Sequence, residues 1–137
     1  MTSEHKSKRS ERSRGAAVVE FALVLPLLMM VVFGAIQFGT LFNRQQGLHA
    51  AAREGARLAA LPLSTQAEIT TATTNALDGV ALAGTPTITI TPNVTRPCEG
   101  RPGETVTVEI TVPTSLEIPI YGTVSKTLKG RGEFRCE

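Results

Sequence analysis

The hydrophobic pattern divides the chain into a long apolar block and an alternating C-terminal half. From Phe21 to Phe42, 22 residues carry no charge. A helix of about 20 apolar residues is long enough to cross the roughly 30 Å hydrocarbon layer of a bilayer. A soluble core helix would show a polar stripe, and none occurs from Phe21 to Ile36. The pattern therefore predicts one transmembrane helix over residues 16–42.

Beyond this block, residues 43–61 contain no helix breaker before Pro62, so the same helix is expected to continue outside the membrane. Small residues recur here every fourth position, a spacing that lets another backbone approach closely. The alanines could be present only because alanine has a high helix propensity. Each glycine, however, destabilises a helix by about 1 kcal/mol relative to alanine, so the two glycines indicate a packing role. The predicted helix-packing stripe, expected to receive a partner subunit, consists of Gly47, Ala51, Gly55 and Ala59.

Residues 62–137 are predicted to form a small exported α/β domain. A short helix is expected from Ser64 to Asp78, with Ser64 as its N-cap and Gly79 as its terminator. Its weak apolar face would be formed by Ile69, Ala72, Ala76 and Leu77.

Period-two alternation then predicts strands in the rest of this half. The inward residues would be Ile88 and Ile90 in the first strand, Val106, Val108, Ile110 and Val112 in the second, and Leu128, Phe134 and Cys136 in the last. Leu116, Ile118 and Ile120 also alternate, but Pro113 and Pro119 favour an edge or a loop there. The expected fold class is a membrane-anchored α+β protein, with an antiparallel sheet of about three strands beside one short helix.

The charge distribution favours a membrane topology and disfavours nucleic-acid binding. The net charge is +2, yet residues 1–14 hold five Lys/Arg and two Glu, so the remainder of the chain is −1. With the positive charge confined to one tail, no Trp and one Tyr, no nucleic-acid surface is predicted. The basic tail, expected to be disordered, places the N-terminus in the cytoplasm and residues 62–137 outside by the positive-inside rule.

No set of residues suggests catalysis or cofactor binding. Two Cys and two His lack the spacing of a metal site, and no nucleophile and base are recognisable together. The sequence therefore predicts a protein that is not an enzyme and has neither metal nor cofactor.

The junction between the basic tail and the apolar block carries the most informative motif. Gly15 ends the tail, Ala16 begins the apolar run, and Glu20 and Phe21 follow. A lone carboxylate within hydrocarbon costs roughly 2–4 kcal/mol, less near the interface. Glu20 could simply be solvated at headgroup depth. If the chain were cut after Gly15, the new amine of Ala16 and the helix dipole would instead favour its charge.

This junction resembles the processing site of type IV pilin precursors and, more narrowly, that of the TadE-like pseudopilins of tight-adherence (Tad/Flp-type) pili. The resemblance includes a segment, AAREGAR, common in that family, and covers residues 15–61. Phe21 stands where many relatives carry Tyr. The resemblance implies a minor pilin matured by a prepilin peptidase after Gly15, acting in pilus assembly with other pilus subunits or assembly-platform proteins in the cytoplasmic (inner) membrane.

The two cysteines, Cys98 and Cys136, both follow the membrane helix. Inside the cell they would be buried free thiols. In an exported domain a disulfide is favoured, and it would contribute roughly 3–4 kcal/mol by closing the loop between them.

These inferences leave four segments: a basic leader that is cleaved (1–15), the membrane helix (16–42), its continuation (43–61) and the exported domain with one disulfide (62–137). A second hypothesis stays open. The chain could be an unprocessed single-span membrane protein whose exported domain binds a partner or ligand. The N-terminus of the mature protein distinguishes the two, because only a processed pilin begins at Ala16.

Overall fold

The computed structural model describes the backbone of residues 5–118 and 122–137, and the side chains of residues 15–115 and 122–137. The chain divides into two compact units, residues 1–40 and 41–137. The elements are α1 (His5–Ala59), α2 (Gln66–Asn75), β1 (Thr87–Thr91), β2 (Thr105–Ile118) and β3 (Gly122–Arg135). The predicted α+β class, with a long apolar helix, one short helix and a three-stranded antiparallel sheet, is confirmed.

The apolar part of α1 has the properties of a membrane span. Within Gly15–Ala59 its most apolar stretch reaches a mean hydropathy of 2.5, and none of that stretch is buried by the rest of the protein. One helix compatible with a single-pass membrane protein is therefore present in the described part of the chain. Pro26 lies inside this helix without ending it.

The expectation of a disordered basic tail is wrong for residues 5–14, which form the beginning of α1. This stretch contains neither Gly nor Pro and is rich in Lys, Arg and Glu, which favour helices. Because the apolar block already provides a helix nucleus, each added residue needs only propagation, which costs far less than nucleation.

Helix α2 begins one residue later than predicted, because Thr65 and not Ser64 is its N-cap. The Thr65 hydroxyl accepts the Glu68 N–H, and the Glu68 carboxylate accepts the Thr65 N–H at 2.8 Å, which completes a capping box. The hydrogen bonds from the Thr65 backbone and side chain lower the pKa of Glu68. The predicted terminator, Gly79, lies beyond the helix end at Asn75, with a positive φ of 87°.

The sheet has the order β1-β2-β3 with both pairs antiparallel. The predicted alternation of β2 is confirmed, since Val106, Val108, Ile110 and Val112 are fully buried. Leu128 on β3 and Cys136, which follows the strand, are buried as expected, whereas Phe134 on β3 remains 40% exposed.

The run from Pro113 to Ile118 belongs to β2, paired with β3 from Thr127 to Gly122, so a loop assignment is wrong for these residues. Strand β1 pairs with β2 only as far as Thr111. Beyond that point β3 is the one neighbour of β2 in the described sheet, and a proline is tolerated on such a free edge. Pro119 and Ile120 lie outside the described residues.

The core of the second unit lies between one face of the sheet and the two helices. One cluster joins the end of α1 to α2 and to the disulfide: Ala56, Ala59, Ala60, Ile69, Ile90, Cys98, Val106, Val108 and Cys136. The other joins an earlier part of α1 to the middle of the β2–β3 pair: Leu48, Ala51, Ala52, Leu77, Ile110, Val112 and Leu128. The C-terminal part of α1, from Leu48 to Ala59, is thus an integral layer of the C-terminal domain.

Candidate processing site and helix-packing surface

The predicted processing motif is accessible in the structure. Gly15, Ala16, Glu20 and Phe21 are all exposed and lie within α1. A Cβ atom added at Gly15 would meet no heavy atom within 4 Å. Ala16 and Glu20 are four residues apart on this helix, so they lie on the same side, one turn from each other.

The helix-packing stripe, by contrast, is occupied by the protein itself. Ala51 and Ala59 are fully buried in the core. A Cβ atom on Gly47 would lie 2.7 Å from Val80 Cγ2, and one on Gly55 would overlap the Thr73 hydroxyl of α2. The expectation of close packing therefore has a structural basis, but the elements that approach the stripe belong to the same chain. The inference that the stripe receives a partner subunit is corrected accordingly.

A second pair of glycines, which the sequence reasoning missed, allows β3 to lie directly against α1. A Cβ atom on Gly130 would overlap the Leu48 backbone, and one on Gly132 would overlap the Ala52 backbone. A glycine inside a strand often marks such a close backbone approach. The signal was present as the GRG tripeptide within an alternating strand, where both glycines occupy inward positions.

Polar side chains of α1 hold the edge of β3 beside this contact. The Gln45 amide donates to the Lys129 carbonyl, and the Arg131 N–H donates to His49 Nδ1 at 3.3 Å. Both backbone groups lie on the side of β3 that faces away from β2. Unpaired N–H and C=O groups on such an edge could otherwise pair with another strand. His49, which has no metal-site neighbours in sequence, thus has a structural role at a helix–strand junction.

The two cysteines are brought together beside the C-terminal end of α1. Cys98 and Cys136 form a disulfide with their Cα atoms 5.3 Å apart, and both are buried. The Cys136 N–H donates to the Glu104 carbonyl at 2.8 Å, and the Glu137 N–H donates to the Ala60 carbonyl at 3.1 Å. The C-terminus is therefore held both to the loop after β1 and to the end of α1.

The exposed face of α1 carries an internal ion pair. Arg57 donates two hydrogen bonds to Glu54, at 2.7 and 3.1 Å, and this contact lowers the pKa of Glu54 and raises that of Arg57. Exposed pairs of this kind contribute little to stability. Arg53, also exposed, makes no ion pair among the described side chains.

Comparison with known proteins finds a similarity in the N-terminal segment. Residues 15–57 match the family model described as TadE-like protein. No curated protein and no solved structure matches the chain. The matched segment begins at the glycine of the predicted processing motif, includes the apolar part of α1 and ends in the part of α1 that packs on the sheet. Over residues 15–57, therefore, this chain is similar to the TadE-like family.

Proposed function

We propose that this chain is a minor pilin, or pseudopilin, that takes part in the assembly of a tight-adherence type IV pilus. The observation that carries the proposal is the TadE-like match at residues 15–57, which begins at Gly15. The role is structural and not enzymatic. Its partners are a prepilin peptidase and other pilus subunits or assembly-platform proteins, in the cytoplasmic membrane with the N-terminus inside and the exported domain outside.

Cleavage between Gly15 and Ala16 would change the electrostatics of the membrane helix. The new amine of Ala16 would lie one helical turn from the Glu20 carboxylate, and the new helix N-terminus would favour the same negative charge. Glu20 is exposed, so an amine from a neighbouring subunit could also reach it. A charge that is costly in hydrocarbon would thereby gain a partner through processing or assembly.

The position of Gly15 within α1 bears on how a peptidase would reach the bond. A protease needs an extended backbone, so the helix must open around the cleavage point. Glycine weakens a helix by about 1 kcal/mol relative to alanine, and no side chain packs against Gly15 to oppose opening. The bond after Gly15 is thus exposed and lies where the helix is locally less stable.

Replacing Gly15 with leucine should block maturation. The wild-type chain, expressed with an active prepilin peptidase, is expected to lose residues 1–15 and to begin at Ala16, whereas Gly15→Leu is expected to retain the leader. Gly34→Leu is the matched control, because Gly34 is another glycine of α1 with no heavy atom within 4 Å of an added Cβ. Mass spectrometry of the membrane-extracted protein measures the result. An intact wild-type chain as the major species would refute processing and favour the unprocessed membrane protein.

Replacing Glu20 should affect assembly and not insertion. Glu20→Ala and Glu20→Gln both remove the carboxylate, and Gln keeps its shape, so both variants are expected to insert normally and be processed. Removing the charge lowers the insertion cost, by less than the roughly 2–4 kcal/mol of a central position, because Glu20 lies near one end of the predicted span. Both should be recovered poorly with other pilus subunits after cross-linking, because the new amine lacks its partner. If Glu20→Gln were recovered with other pilus subunits as efficiently as the wild type, a role for the carboxylate charge in assembly would be excluded.

A further inference from the structure

The edge of β3 that faces away from β2 is closed by α1 and the residue after it at three positions. The bonded pairs are Lys129 with Gln45, Arg131 with His49, and Glu137 with Ala60. All three residues of β3 and its extension are odd-numbered, because alternate residues of an antiparallel strand direct their backbone groups to opposite edges. The N–H of the even-numbered Cys136 donates instead to Glu104, just before β2. The odd-numbered residues of β3 therefore direct their backbone groups away from β2.

Between these contacts the edge has a gap at Glu133 and Arg135. By the same alternation, the N–H and C=O groups of both residues point away from β2. Neither residue makes a backbone hydrogen bond to α1 or to a loop in the described part of the chain. Both residues are also exposed. The gap therefore offers two donors and two acceptors in the arrangement that a further β-strand would use.

The gap lies beside Arg53, and the chemistry of arginine explains why α1 leaves it open. Gln45, His49 and Arg53 are four residues apart, so they lie on the same side of successive helical turns. Four helical residues rise about 6 Å and two strand residues about 6.6 Å, so Arg53 comes level with Glu133. A histidine ring nitrogen can accept an N–H bond, whereas a guanidinium has five donors and no acceptor. Arg53 therefore cannot satisfy the Glu133 N–H as His49 satisfies that of Arg131.

An open cleft lies at this place in the structure. It is lined by Arg53 on α1 and by the stretch of β3 from Arg131 to Phe134, whose aromatic side chain is 40% exposed. The one carboxylate of this stretch, Glu133, is paired with Arg131. Neither Arg53 nor Arg135 forms an ion pair among the described side chains. The cleft and the gap thus lack hydrogen-bond acceptors and negative charge.

We propose that the free edge of β3 at Glu133 and Arg135 binds an extended, acidic segment of a partner protein, which joins the sheet as a fourth strand. The segment forms up to four backbone hydrogen bonds with these two residues, and its carboxylate accepts from Arg53. One of its apolar side chains contacts Phe134. This inference goes beyond the proposed role in pilus assembly. It depends only on contacts within residues 41–137 and does not require processing.

Peptide titration of the full-length protein in detergent tests the pairing. The probes are three synthetic peptides with blocked ends: TVEVT, TVKVT and TPEPT. The first combines strand-forming residues with one glutamate, and the second reverses its charge. The third keeps the glutamate but replaces both valines with proline, which lacks the N–H that a paired strand needs. Nuclear magnetic resonance follows the chemical shifts and the hydrogen exchange of the Glu133 and Arg135 amides.

TVEVT should shift both amide resonances and slow their exchange, because the two N–H groups become hydrogen-bonded. TVKVT should bind at least about tenfold more weakly, since it loses a charge-assisted bond to Arg53 and adds a repulsive charge. TPEPT should leave the exchange of Glu133 and Arg135 unchanged. These three results together would support strand addition with a preference for acidic segments.

Variants of the protein separate the charge from the backbone pairing. Arg53→Ala should weaken TVEVT binding about tenfold. Arg44→Ala is its control, because Arg44 also makes no ion pair among the described side chains and lies nine residues earlier, on the opposite side of α1. Glu133→Pro should abolish binding by removing an outward N–H, whereas Glu133→Ala, which loses the same carboxylate, should bind at least as well as wild type. Circular dichroism shows whether the proline variant is folded; if it is not, the exchange data of the wild type decide.

Three outcomes would overturn the proposal. The first is unchanged exchange at Glu133 and Arg135 at the highest soluble concentration of TVEVT. The second is equal binding of TPEPT and TVEVT, which would mean that Arg53 binds a carboxylate without any strand pairing. The third is exchange that slows with protein concentration in the absence of peptide, which would identify a second copy of the chain as the occupant. None of these results bears on cleavage after Gly15, which the maturation experiment tests separately.

Discussion

Replacing Gly55 with leucine should strongly destabilise the C-terminal domain, residues 41–137. The Gly55 position faces the Thr73 hydroxyl and lies close to Val108 Cγ1, so four added carbons have no space. Thr73 is fully buried and donates to the Ile69 carbonyl at 2.7 Å, so moving it disturbs α2 as well. Overpacking a core costs typically 1–3 kcal/mol and occasionally more, and a contact this close belongs at the upper end of that range.

Ala50→Leu is the matched control, because Ala50 lies on the exposed face of the same helix and has room for the larger side chain. The full-length protein in detergent is unfolded with urea, and the loss of β-sheet circular dichroism is followed. Gly55→Leu should shift the midpoint strongly to lower urea or show no folded baseline, whereas Ala50→Leu should behave like wild type. A wild-type midpoint for Gly55→Leu would mean that the stripe is free and would restore its role as a partner surface.

Loss of the disulfide should destabilise the same domain by about 3–4 kcal/mol in the chain-entropy model. The bond joins residues 38 apart in sequence and lies in a core cluster with the end of α1. Without it, the last residues of the chain are held by the backbone hydrogen bonds of Cys136 and Glu137. The C-terminal end of β3 and the loop that contains Cys98 should therefore loosen first.

The double variant Cys98→Ser/Cys136→Ser is the cleaner test, because a single variant leaves one reactive thiol. Its urea midpoint should fall well below that of wild type, and hydrogen exchange should increase first near Phe134 and Arg135. Thiol labelling of denatured, unreduced wild-type protein from the cell surface provides an independent check. Two reactive thiols there would show that the bridge does not form in the cell.

Much of the architecture follows from local sequence patterns. The apolar block is long enough to indicate a helix. The alternation of apolar and polar residues in β1 and β2 has the period of two that is typical of a strand, so a helix is excluded there. The sequence pattern places the N-cap of α2 one residue too early, because Ser64 and Thr65 are chemically equivalent caps. The capping box with Glu68, three residues after Thr65, is the signal that distinguishes them.

Patterns among neighbouring residues are enough to specify the long apolar helix, the short helix and the strand alternation. What each surface packs against depends on residues that are brought together by the fold. A small-residue stripe shows that something approaches closely, but not whether it is a partner or the chain's own α2, because that depends on residues far away in sequence. The same holds for the contact of Gly130 and Gly132 with α1.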